Sequence, residues 1–195
     1  MSQLLIRIVL SAVLLVLACL LCGVYGILHN QLSYSISPEY FTAFKFRQFA
    51  ISPVMHGRLG AAIVGWEASW WMGMVIGFFL IPFGHLVRTT SGFLRAVLRA
   101  YLVVLATAIT VGVFAIGLGW LTITPDDSKP LLIGDRPIQD VAGFLRAGML
   151  HNFSYLGGLL GIVTGVTSIM RRFLRGEKAD APNEATDDQT CEANH

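Results

Sequence analysis

The sequence predicts an all-α membrane protein: four transmembrane helices with two amphipathic connections on the outer side. Three observations carry that reading. Hydrophobic residues make up 54% of the chain and charged ones only 13%, where soluble domains run at roughly 25% charged. Mean hydropathy is +0.64. Runs long enough to cross a bilayer, about 20 residues at a rise of about 1.5 Å each, fall at about 6–28, 59–84, 100–121 and 153–170. They form one domain, 1–175, followed by a polar tail, 176–195. The net charge of +2 says nothing about nucleic acid, and with no basic groove of interleaved aromatics a nucleic-acid partner is not expected. The expected surroundings are lipid.

The first run begins after Arg7. Its basic flank and apolar core resemble a signal peptide, yet it has spanning length and no A-x-A-like site closes it. Val16-Leu17-Ala18-Cys19 approximates a lipoprotein cleavage box, but Leu17 fits poorly, so an uncleaved span is expected. Cys19 and Cys22 have redox-motif spacing without a βαβ context, and Cys191 lies in the tail. Small apolar residues packed on a helix are the expectation for the pair, and no disulfide framework follows.

Residues 29–57 form a polar, aromatic connection. Ser37-Pro38-Glu39 is a helix start, with a capping hydroxyl, proline in the first turn and an acid facing the dipole. Tyr40, Phe41, Phe44, Phe46 and Phe49 then mix with Lys45 and Arg47, which suits a short element at headgroup level.

The second run carries one charge, Glu67, beside Trp66, Trp70 and Trp71. Small residues recur every fourth position at Ala61, Gly65, Ser69, Gly73 and Gly77, a ridge on which another helix can approach. On a helical wheel Glu67 falls with Ile63, Trp70, Trp71 and Met74, opposite that ridge. A basic hairpin with Arg88, Arg95 and Arg99 leads to the third run, which ends on an interfacial anchor, Trp120. In the second connection, Ile138, Val141, Leu145 and Met149 share one face after Pro137, which predicts a short amphipathic helix. The fourth run holds Gly157, Gly161 and Gly165 and stops at Arg171-Arg172. Direct packing of the second and fourth runs through their small-residue rows is expected. The acid-rich tail has no aromatics and is expected to be disordered.

Basic residues cluster tightly at Arg7, Arg88, Arg95, Arg99, Arg171, Arg172, Arg175 and Lys178. On the other side they are spread through two long loops. The positive-inside rule then predicts both termini cytoplasmic, in a bacterial inner or plasma membrane. The two halves also match: Pro38, Ala43 and Arg47 align with Pro137, Ala142 and Arg146 at a constant offset. This is the pattern of parallel repeats, although matches so short also arise from biased composition.

Chemistry has few candidates. A charge within a span usually faces a bundle interior, so an intramembrane polar or ligand site is expected at Glu67, Trp70, Trp71, Arg146, His151 and His56. Arg146 and His151 are Glu67's expected partners by depth. His29, His56 and His151 on one side offer a ligand set for a metal or haem edge, but no pair has i, i+4 spacing, and interfacial histidines are commoner. No cofactor or catalytic residue is assigned, because no nucleophile elbow, phosphate loop, zinc-protease string or dinucleotide fingerprint occurs. Three function classes remain. The first is an accessory or assembly subunit, or a small-ligand binder, working as a homo-oligomer or with a membrane partner protein. The second is an oligomeric proton-coupled carrier or channel using Glu67. The third is a membrane redox or metal protein using the histidines.

Overall fold

Ser2 starts the first helix, α1 (Gln3–Ile36), by accepting the Leu5 amide on its hydroxyl at 3.3 Å. In this computed structural model, residues 2–126 and 129–180 are described, with side chains to Arg175. A six-residue π-helix follows (Tyr40–Lys45), then one turn, α2 (Phe46–Gln48), and a 3₁₀ turn (Pro53–Met55). The chain reverses into α3 (Arg58–Gly84), turns through 85–89 into α4 (Thr90–Thr122), crosses a two-residue ribbon of β1 (Leu132–Ile133) and β2 (Arg136–Pro137), and ends in α5 (Val141–Asp180). Four of these helices are long and apolar enough to span a membrane.

The helices outrun the expected spans because their extra turns have work inside the bundle. α1 continues through the polar stretch after Leu28, where Asn30 and Ser33 are buried and the Asn30 amide donates to the Ala61 carbonyl at 3.0 Å. α4 absorbs the expected basic hairpin. Thr89 caps it by accepting from the Gly92 amide at 3.1 Å, and Arg95 and Arg99 stay exposed while Ala96, Val97 and Ala100 are buried. The expected amphipathic helix of the second connection is the opening of α5 itself. Its buried face is Ala142, Phe144, Ala147, Leu150 and His151, whereas Leu145 is exposed. The backbone of α5 also remains helical to Asp180, past the expected start of the tail; the rest of the tail, with Cys191, lies outside the described residues.

Packing pairs each long helix with its neighbour across a connection: α1 chiefly on α3, and α4 chiefly on α5. The expected seam between the second and fourth spans is therefore corrected. Gly65 lies against the Gly26 backbone, Gly73 against Ala18 and Cys19, and Gly77 against Leu15, all on α1. On the other hairpin Gly157 meets Ala108 and Gly161 meets Val104, both on α4, while Gly165 lies between Val104 and Leu80. Antiparallel neighbours joined by one connection come together at low loop-closure cost, and small residues let their backbones close up.

Each end of the bundle is locked differently. At the end carrying the α3–α4 turn, Arg7 donates to the carbonyls of Val87 (2.7 Å) and Arg88 (2.6 Å), and lies over the Phe93 ring. Ser11 hydrogen-bonds His85 there at 2.9 Å; desolvation, then the nearby Arg7 charge, holds the His85 imidazole below its ordinary pKa. At the connection end, the Glu39 carboxylate accepts the amides of Gln139 and Asp140 at 2.9 Å, tying the two connections together at the start of α5. Two apolar cores result. One, around Leu14, Leu80, Phe93, Val97 and Ile169, sits toward the turn; the other, around Phe41, Phe46, Val64 and Phe144, sits under the connections.

Candidate functional site

Between these two cores the hairpins part. They leave a cleft of about 110 Å³ lined by apolar side chains and, among others, Cys22, Tyr25, Ser69, Tyr101, Ser154 and Tyr155. Its polar groups are few and placed. The Tyr25 and Ser154 hydroxyls meet at 3.4 Å across the two hairpins, and the Tyr101 hydroxyl donates to the Leu14 carbonyl at 3.0 Å. Leu21 and Leu102, also in the lining, are 43% and 67% exposed, so the cleft opens sideways where α1 and α4 diverge. A wider groove at the turn end, about 710 Å³ and walled by Leu15, Met74, Gly77, Phe78 and Pro82, is different. The hydroxyl it includes, on Ser11, is already bonded to the Arg7 carbonyl and His85.

One helical turn above Tyr25 on α1 is His29, whose ring centroid lies 5.7 Å from that of Tyr25 and 5.1 Å from that of His151, edge to face. His151 is held through one ring nitrogen. Its Nδ1 donates to the Ala147 carbonyl at 3.1 Å, which places the proton there, and Ser33 Oγ lies 3.3 Å from the same nitrogen. Tyr40 closes the cluster, 5.0 Å from His151 and 5.0 Å from Phe144 by ring centroid. His29 is not satisfied: its Nε2 is buried and makes no hydrogen bond. A buried polar atom without a partner costs about 1–3 kcal/mol, and among the described residues His29 Nε2 is such an atom.

The π-helix explains Lys45. Its wider turn swings the residue inward, where Lys45 is 7% exposed, donates to Gln48 Oε1 at 3.0 Å and lies over the rings of Phe44 (5.0 Å) and Tyr40 (5.7 Å). Burial lowers the Lys45 pKa and raises that of Tyr40. Sequence reasoning missed this residue; the dense aromatic setting was its one available signal.

The expected site residues do not assemble. Glu67 does not face the interior: it is exposed and, among the described residues, makes no hydrogen bond or ion pair. Trp70 and Trp71 share that exposed face, at 36% and 40%. The wheel grouping stands, but its direction is corrected, because the opposite ridge is the one buried against α1. Neither expected partner reaches Glu67. Arg146 lies 3.8 Å from the Trp120 ring centroid and donates to the Ile123 carbonyl at 2.6 Å, while His151 is held as above. His56 stacks on Phe46 at 4.5 Å, beside the Ile51 carbonyl, apart from the other two histidines. Among the described residues no three His, Cys, Asp or Glu side chains gather as a metal set. Glu67 is thus an exposed carboxylate on a helix long and apolar enough to span a membrane.

The chain matches no family model, no curated protein and no solved structure.

Proposed function

We propose that this chain is an integral membrane protein that takes a small, largely apolar molecule from the bilayer into the cleft between its hairpins. The observation that carries the reading is the apolar cleft itself, in which the Tyr25 and Ser154 hydroxyls meet at 3.4 Å across the two hairpins. Ligand sites are mostly apolar, with a few placed polar groups that fix orientation. Here the Tyr25–Ser154 hydroxyl pair supplies those groups, and the sideways opening supplies the route. The ligand is therefore amphipathic: an apolar body with one or two hydrogen-bonding atoms at its end. No reaction is assigned. The clustering of arginines around Arg95, Arg99, Arg171 and Arg172 supports an orientation with both termini in the cytoplasm.

Native mass spectrometry of protein released from a mild detergent tests this. The wild-type chain is expected to carry a bound small molecule. Gly158→Leu fills the cleft, because a Cβ at Gly158 finds only Met72 Cγ at 3.9 Å, and this variant is expected to emerge bare with its helical content unchanged. Tyr25→Phe removes a cleft-lining hydroxyl and keeps the ring. It is expected to lower occupancy about tenfold, from one lost hydrogen bond, while leaving helical content unchanged. A bare wild-type chain, or undiminished occupancy in both variants, contradicts the proposal.

A further inference from the structure

Glu67 points to a second, separate property. It lies nine residues into α3 from Arg58, about 13 Å along the axis, which puts it within the apolar part of a span. Trp70, Trp71, Met74 and Phe78 continue the same exposed face, the last at 72%. Among the described residues the carboxylate has no partner: Arg58 is engaged with Gln31 and Ser35, and Arg146 with Trp120 and two carbonyls.

A second copy of the chain brings no remedy. The stretches 8–28, 59–84, 100–121 and 153–170 contain no lysine or arginine, so a symmetric pair sets one Glu67 against another. Charge complementarity instead selects a helix of another protein. A cation opposite Glu67 gains an ion pair shielded from water, and the neighbouring indoles attract the same cation through their ring faces. We propose that the Glu67–Trp70–Trp71 face is the docking site for a transmembrane helix of a partner protein that carries a lysine or arginine at matching depth. This does not rest on the cleft or its ligand.

The test uses the full chain, donor-labelled and reconstituted in phosphatidylcholine vesicles, with acceptor-labelled synthetic helices of leucine and alanine. One helix carries a single lysine at the depth of Glu67; the other carries leucine there. Energy transfer is expected to show the lysine helix binding about tenfold more tightly, the scale of one strong interhelical polar contact. Glu67→Leu is expected to erase the difference, and Glu67→Lys to reverse it toward a helix bearing glutamate. Should Glu67→Leu fail to fold, Glu67→Gln keeps the shape and is expected to remove most of the preference. Equal binding of both helices overturns the proposal, as does a preference that survives loss of the carboxylate. So does Glu67-dependent energy transfer between full-length copies without any peptide.

Discussion

Gly65→Ala is expected to break the α1–α3 hairpin, while Gly117→Ala, one helix away, is expected to be tolerated. A methyl group at Gly65 runs into the Gly26 carbonyl and its neighbouring backbone, and a methyl at Gly26 meets the Gly65 carbonyl in turn. Backbone cannot rotate aside as a side chain does, so the helices must separate and give up contact along the seam. The loss belongs at the upper end of the roughly 1–3 kcal/mol that overpacking costs. In lipid little hydrophobic drive remains to hold parted helices together. A methyl at Gly117 meets nothing within 4 Å, and alanine is the better helix former. Denaturant titration in mixed micelles checks both. Equal stability of the two variants would show that the seam does not hold the hairpin.

Glu39→Ala is expected to loosen the connection end. Both oxygens of this carboxylate accept the Gln139 amide, at 2.9 and 3.0 Å, and one also accepts that of Asp140 at 2.9 Å. These amides open α5, where the helix dipole favours a negative charge. Charge-assisted hydrogen bonds contribute about 1.5–3 kcal/mol, and this end is open to water, which replaces part of the loss. A destabilisation of about 2 kcal/mol is expected, with Glu39→Gln intermediate because one acceptor oxygen remains. Hydrogen exchange should report it locally, as faster exchange at Gln139 and Asp140. Unchanged exchange there would show that the carboxylate does not hold the helix start.

The four long helices were legible because apolar runs of that length, in a chain with so little charge, have the composition and length of membrane-spanning helices. Their ends were not. Asn30 and Ser33 look like loop residues, yet each finds a partner inside the bundle, and that lets α1 run on to Ile36. The glycine rows were equally visible, but a smooth face does not name the helix that meets it; Gly65 met Gly26 rather than Gly161. The same limit governed Glu67. Periodicity grouped it with Trp70 and Trp71, and only the burial of the opposite ridge decides which way the group points. His29 and His151 were placed at the same end by counting, whereas their 5.1 Å approach depends on how the two hairpins dock. Lys45 turns inward through a π-helix, a local irregularity that hydrophobic periodicity does not register.

Each long helix pairs with its neighbour across a connection, which leaves the cleft between two hairpins. Disulfide trapping in intact membranes tests it most directly, in a chain whose own cysteines are replaced by serine. Thr107 and Thr164 face each other between α4 and α5 with their hydroxyls 3.0 Å apart. Thr107→Cys with Thr164→Cys is expected to bridge rapidly on mild oxidation in the membrane fraction. Ser69→Cys with Thr164→Cys places its cysteines on the helices that the glycine rows alone would have paired, and is expected to stay open. Bridging of the second pair without the first would contradict the two-hairpin arrangement.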